Sequence, residues 1–236
     1  MRLRNIPEAK GIVEKSEYVI HDPWARRGTW KNERSAPLYL EIGMGKGRFI
    51  IETASVHPEN EYLGIERYES VLFRACERMA GIPYQTPADQ MEREAHPELD
   101  MDFTAPANLH FLRVDAKELP EMFAPGEVDG IFLNFSDPWP KARHSKRRLT
   151  SREFLAVYEK VLRNGGVLEF KTDNRDLFDF SVEEIREAAR WELTSVTYDL
   201  HHDPVLNAGN IMTEYERKFS ALGNRICKLS AVYRAE

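Results

Sequence analysis

Short apolar runs alternate with amphipathic segments along most of this 236-residue chain, and that alternation constrains its fold more than any other feature. Leu38–Ile42, Glu61–Glu66, Leu109–Val114, Val128–Asn134 and Val167–Lys171 read as strands. Between them, Arg48 to Val56 is helix-compatible, and Glu69 to Ala80 places Val71, Leu72, Ala75, Cys76 and Met79 at three-and-four spacing. Thr150 or Ser151 is expected to cap a helix carrying Phe154, Leu155, Tyr158, Val161 and Leu162 on one face, which Asn164-Gly165-Gly166 would end. Asp176 to Arg190 reads as a further helix, and Trp191–Leu200 and Tyr215–Ala221 as the last two strands. Such alternation implies an α/β domain with a mostly parallel sheet covered by helices on both faces. In these sheets ligands bind at the carboxyl ends of the strands, where the strand order reverses. Glu41, Glu66, Asp115 and Asp137 each fall at or just past a strand end, so all four are expected along one edge.

Residues 1–37 are polar and turn-rich and read as an N-terminal arm ahead of one domain over 38–236. Residues 81–107 interrupt the rhythm with Pro83, Pro87, Pro97 and Pro106 among acids, and read as an inserted loop joining a helix back to a strand. That connection puts the insertion at the edge opposite the four acids. Cys76 and Cys227 lie far apart at no zinc or redox spacing, which favours a reducing compartment and no metal site while leaving a single bridge open. The amino terminus lacks the apolar core of a signal peptide, and no run approaches the length of a membrane span. A cytoplasmic protein without membrane contact is expected, as monomer or homodimer.

Glu41-Ile42-Gly43-Met44-Gly45-Lys46-Gly47 is a glycine-rich turn between a strand and a helix, where Gly43, Gly45 and Gly47 let the backbone approach a ligand. Glu41 stands two residues before the first glycine. A carboxylate there would repel a pyrophosphate and suits an ammonium-bearing ligand such as S-adenosyl-L-methionine. Glu66 ends the next strand, where an acid binds ribose hydroxyls. Asp115 follows the third strand and fits either an adenine amino group or a helix N-cap, with Glu118 completing a capping box.

The fourth strand delivers the chain to Asn134-Phe135-Ser136-Asp137-Pro138-Trp139-Pro140-Lys141, a rigid turn followed by Arg143-His144-Ser145-Lys146-Arg147-Arg148. The net charge of −6 argues alone against a nucleic-acid partner, yet residues 141–148 hold five cations and no acid. An acidic body with one basic patch fits a polyanion held at one place. The alternative is a solvated charged loop. Trp139, set between two prolines, reads as packing to fix the loop rather than as a base-stacking platform.

These stretches together resemble the bacterial tRNA (guanine-N7-)-methyltransferase family. The resemblance rests on Arg2-Leu3-Arg4, the glycine turn with Glu41, Gly64-Ile65-Glu66, Asp115, Asn134 to Arg148, Phe170-Lys171-Thr172-Asp173-Asn174, and Thr213 to Phe219. It implies a Rossmann-like class I S-adenosylmethionine-dependent methyltransferase fold with a seven-stranded sheet. It further implies methyl transfer to guanine N7 at position 46, in the variable loop of tRNA. Carried over, Glu41, Glu66, Asp115 and Asp137 contact the donor, and Asp137 is catalytic. Lys141, Asp173, Thr213, Glu214, Tyr215 and Glu216 contact the substrate, and Arg143, His144, Ser145, Lys146, Arg147 and Arg148 contact RNA.

Three rival readings explain less. A small-molecule methyltransferase has no need of residues 141–148. A nicotinamide-dependent dehydrogenase accounts for the glycines and Glu66 but not for Glu41. An RNA-binding module without catalysis leaves four acids at successive strand ends unexplained.

Overall fold

The computed structural model describes residues 6–31, 36–82 and 104–235. Seven strands form one sheet in the order β3-β2-β1-β4-β5-β7-β6. They are β1 (Leu38–Ile42), β2 (Glu61–Ile65), β3 (Leu109–Leu112), β4 (Val128–Asn134), β5 (Leu162–Thr172), β6 (Trp191–Thr197) and β7 (Cys227–Tyr233). β1 to β5 pair in parallel, and β7 runs antiparallel to both β5 and β6. The chain steps outward from β1 to β3 and then returns to lay β4 on the other side of β1. The switch point therefore lies between β1 and β4, and it is their carboxyl ends that carry Glu41 and Asn134 to Asp137.

Side-chain alternation along the strands builds a core on each face. Leu38, Leu40 and Ile42 of β1 join Ile131, Leu133, Leu168 and Phe170 under α4 (Leu119–Met122), α5 (Arg152–Tyr158) and α6 (Arg175–Glu187). Tyr62, Leu109 and Phe111 face the other way, against α1 (Pro7–Lys15), α2 (Arg48–Val56) and α3 (Glu69–Met79). The N-terminal arm thus contributes a packed helix, with Ala9 and Val13 buried, and Val19 bridges to Phe111 at the sheet edge. The 81–107 insertion lies, from 83 to 103, outside the described residues, as does the Arg2-Leu3-Arg4 opening.

Two expectations fail at the carboxyl-terminal half. Tyr215–Ala221 is not a strand but lies in helix α7 (Glu214–Ala221), and the last strand is Cys227–Tyr233. Thr213 caps α7, its hydroxyl accepting from the Glu216 amide at 2.9 Å, so a hydrogen-bonded cap outcompetes the strand-like pattern. Asn164-Gly165-Gly166 does not end a helix. α5 stops at Tyr158, and the two glycines sit inside β5 near the shift in its register with β4. Cys76 and Cys227 are both buried and unbridged.

Candidate active site

The glycine turn is built as its sequence suggests, with Gly43, Gly45 and Gly47 all at positive φ. Two of them serve different ends. A Cβ on Gly45 would meet nothing within 4 Å, so the turn leaves open space there for a ligand. A Cβ on Gly47 would come within 3.0 Å of the Ala75 Cβ, so Gly47 serves the packing of α2 on α3. Gly47 thus carries a packing constraint of its own beside its place in the turn.

Glu41 sits beneath this turn, 2% exposed. One carboxylate oxygen accepts from Asn134 Nδ2 at 2.9 Å, whereas Oε2 is buried without a hydrogen-bond partner among the described residues. Burial pushes its pKa up to about 8 against the opposing pull of Asn134 and Lys171. A buried, orphaned carboxylate oxygen beside a strand end is costly unless something cationic or hydrogen-bonding meets it. Glu66 is 8% exposed and is held by two amides, accepting from Tyr68 at 2.9 Å and from Gly45 at 3.3 Å. Burial raises its pKa, with those amides working against the rise. Asp115 caps the turn that follows β3 through the Lys117 amide at 3.0 Å, and also receives Arg67 Nη1 at 3.2 Å. The N-cap reading is thus realised.

Past β4 the backbone takes two unusual conformations, Phe135 at φ 50° and Trp139 at φ 42°. Asp137 stands exposed between them. The Phe135 amide donates to the Lys171 carbonyl at 2.9 Å, and its ring meets Tyr215 at 4.8 Å, which in turn stacks on Phe219 at 4.1 Å. Trp139 packs within its own segment, with Arg147 4.7 Å above the ring and His144 against its edge at 5.8 Å.

The basic run is not uniform. Lys141 and Arg143 are exposed, Ser145 is half-buried, and Lys146 pairs with Glu153 at the surface. Arg148, expected at the RNA, differs from the other cations of the run in being half-buried and turned onto its own segment. Its Nε donates to the Pro138 carbonyl at 3.0 Å and its Nη2 to the Trp139 carbonyl at 3.2 Å.

The expected substrate segment is likewise divided. Tyr215 is exposed, and Asp173 accepts from Asn224 Nδ2 at 2.8 Å. The helix cap after β5 is Asn174. Glu214 pairs with Arg78 of α3. Glu216 is wholly buried and so does not form part of a substrate surface. Its oxygens are taken by Lys171 Nζ at 2.7 Å, Asn210 Nδ2 at 2.8 Å and His201 Nε2 at 3.0 Å. Burial alone would raise its pKa, but the Lys171 charge and these hydrogen bonds outweigh it and hold the group below the usual range. Asn134 and Lys171 lie in stretches that carry the resemblance, but the sequence assigns neither them nor Asn210 and His201 these partners. The spacing Thr213-x-x-Glu216 was the available signal, since it is a capping box that announces a helix. Among the described residues no cluster suited to a metal ion occurs, and no helix is long and apolar enough to cross a membrane.

A cleft of about 250 Å³ lined by Ile20, Arg26, Trp30, Leu38, Tyr62 and His110 opens at the amino ends of β1 and β2. Parallel sheets place their chemistry at the other end, so this cleft lies outside the candidate site.

The sheet order, the glycine turn and the acid-lined switch point define a Rossmann-like methyltransferase fold. The 16S rRNA (adenine(1408)-N(1))-methyltransferase of Catenulisporales acidiphilia superposes with a TM-score of 0.59 at 16% identity, covering 93% of this chain and 97% of that one. An antibiotic-related methyltransferase superposes at 0.56 with 15% identity, covering 91% and 92%. At such identities the likeness concerns the fold alone. Residues 35–229 match the family described as putative methyltransferase. The tRNA (guanine-N(7)-)-methyltransferase of Lachnoclostridium phytofermentans is 49% identical over the whole of both chains. Its namesake in Geobacillus thermodenitrificans is 44% identical over 98% of this chain and 97% of that one. The chain belongs to the tRNA (guanine-N(7)-)-methyltransferase family.

Proposed function

We propose that this protein transfers a methyl group from S-adenosyl-L-methionine to N7 of guanine 46 in the variable loop of tRNA, acting in the cytoplasm. The observation that carries the donor half is Glu41, whose buried Oε2 has no hydrogen-bond partner among the described residues and lies at the strand end beside the open turn at Gly45. An ammonium group satisfies that oxygen and draws the carboxyl into its ionised form. Glu66 then takes the ribose hydroxyls and Asp115 the adenine amino group. The donor supplies a methyl group activated by a sulfonium, and what remains for the protein is to orient the acceptor.

Guanine N7 carries a free lone pair at neutral pH, so no general base is required to make it a nucleophile. Positioning therefore supplies most of the rate. As N7 gains the methyl group the purine becomes positive and its N1–H more acidic. Asp137, exposed at the end of β4, accepts from that edge, orienting the base and stabilising the charge as it develops. Tyr215 and Asp173 flank the base, which must leave its tertiary contacts in folded tRNA to react. Lys141, Arg143, His144, Lys146 and Arg147 hold phosphates, and Ser145 lies in the same segment.

The test is incubation with labelled S-adenosyl-L-methionine and unmodified tRNA, followed by nucleoside analysis and mapping of the label. The expected product is 7-methylguanosine at position 46, with Asp137→Asn slower by at least about 100-fold, the scale on which one lost electrostatic contact acts. Label in another nucleoside overturns the specificity. Normal turnover by Asp137→Asn overturns the role of that carboxylate.

A further inference from the structure

We propose that Arg148 is a positioning residue for the methyl-transfer step, clamping the turn that presents Asp137 rather than binding RNA. The inference rests on the reading of Asp137 given above.

The turn leaving β4 holds two non-glycine residues in the left-handed region, Phe135 and Trp139, on either side of Asp137. Such conformations persist only where surrounding contacts impose them. The Phe135 side is fixed by its amide bond to β5 and by the Tyr215 ring. On the Trp139 side the ring packs against Arg147 and His144, and the backbone is held by the Arg148 guanidinium, which donates to the carbonyls of Pro138 and Trp139 at 3.0 and 3.2 Å. Both of those carbonyls follow directly on Asp137, so the clamp sets where the carboxylate points.

Arg148 is itself held from the opposite direction. Its guanidinium lies 4.2 Å over the Phe180 ring of α6. Its own amide donates to Ser145 and its carbonyl accepts from the Ser151 amide at 3.0 Å, just ahead of α5. The neighbouring Leu149 carbonyl accepts from the Tyr158 hydroxyl at 2.9 Å. A rigid helical layer is thereby coupled to a strained turn through a planar fork. Adjacent Arg147 lies over the opposite feature of the same residue, the Trp139 ring.

A fork that stacks on a ring and serves two carbonyls cannot be replaced by an ammonium, which keeps the charge but neither the plane nor the paired donors. Arg148→Lys therefore separates the clamp from a phosphate contact. With unmodified tRNA and labelled donor, Arg148→Lys is expected to lower kcat by about 100-fold, the scale of an ångström of misplacement. Its KM for tRNA and its salt dependence stay within about twofold of the parent, because the charge that a phosphate would feel is retained. Phe180→Ala, which removes the stacking ring and no charge, is expected to lower kcat in the same sense. Its effect is non-additive with Arg148→Lys, since both loosen one support. Parent-like kcat in Arg148→Lys overturns the proposal. So does a raised KM with a flattened salt dependence in Arg148→Gln, which marks a phosphate contact. Where Asp137→Asn is slow and Arg148→Lys is not, only the clamp fails. Where Asp137→Asn turns over normally, the reading of the reacting centre fails and the proposal with it.

Discussion

Glu41 keeps a carboxyl group almost wholly out of water with one oxygen unpartnered, and its ionisation is therefore tied to folding. Its pKa is about 8 in the fold against 4.5 for the free group, because burial disfavours the charge. Between these values the folded chain keeps a proton that the unfolded chain has released. The stability this contributes is full below about pH 4.5 and is lost as pH rises towards 8, at no more than about 1.4 kcal/mol per pH unit. Glu41→Gln cannot ionise and mimics the protonated form. In the absence of donor, its melting temperature is expected to gain on the parent steadily from pH 5 to pH 8 and to hold a constant lead above that. A difference that does not vary with pH shows that the carboxyl is not buried as a proton carrier. The position of Glu41 was legible in the sequence from its place before a glycine turn. The inward turn of Arg148 was not, because five cations in one run look alike until a partner distinguishes them.

α7 and the strand beneath it are joined by one buried ion pair, Lys171 Nζ to Glu216 at 2.7 Å, with side chains 5% and 0% exposed. Asn210 and the Ile211 carbonyl also accept from Lys171, so the segment leading into α7 is tied to the same point. Removing one partner strands the other charge in the interior. Lys171→Met is expected to cost roughly 3–5 kcal/mol of unfolding free energy, whereas Lys171→Met with Glu216→Leu recovers most of it. Urea denaturation of the two variants decides the matter, and equal losses in both sink the view that the cost is an uncompensated charge. The same elements explain what the sequence hid. β1, β2, β3 and β4 announce themselves as apolar runs closed by turns. Tyr215 and Phe219 gave the 215–221 segment a strand-like look, while the Thr213 cap and Glu216 made it a helix. The true last strand alternates buried Cys227, Leu229, Ala231 and Tyr233 with Lys228 and Ser230, a period-two pattern that a lone sequence shows only weakly beside a terminus.

At the scale of the whole molecule, a protein of net charge −6 has to hold a polyanion without repelling it. Charge is segregated along the sequence, with acids concentrated between residues 89 and 102 and cations between 141 and 147. The strand order sends these segments to different connections, one joining α3 to β3 and the other leaving β4 at the switch point. On the proposed function, RNA meets a local cationic surface beside Asp137. If Arg148 clamps the turn as proposed, the phosphate contacts fall to Lys141, Arg143, Lys146 and Arg147. Four such contacts give a log–log dependence of tRNA affinity on salt with a slope of about −2 to −3, taking the single-strand coefficient. Replacing Lys141 and Arg143 together by glutamine is expected to move that slope towards zero by about 1.4, with the donor affinity unchanged. Filter binding of tRNA between roughly 50 and 200 mM salt measures both slopes. An unchanged slope places the phosphate contacts elsewhere and leaves the basic turn as a solvated loop. A slope that falls as expected places the phosphate contacts of an acidic fold in the basic turn that leaves β4.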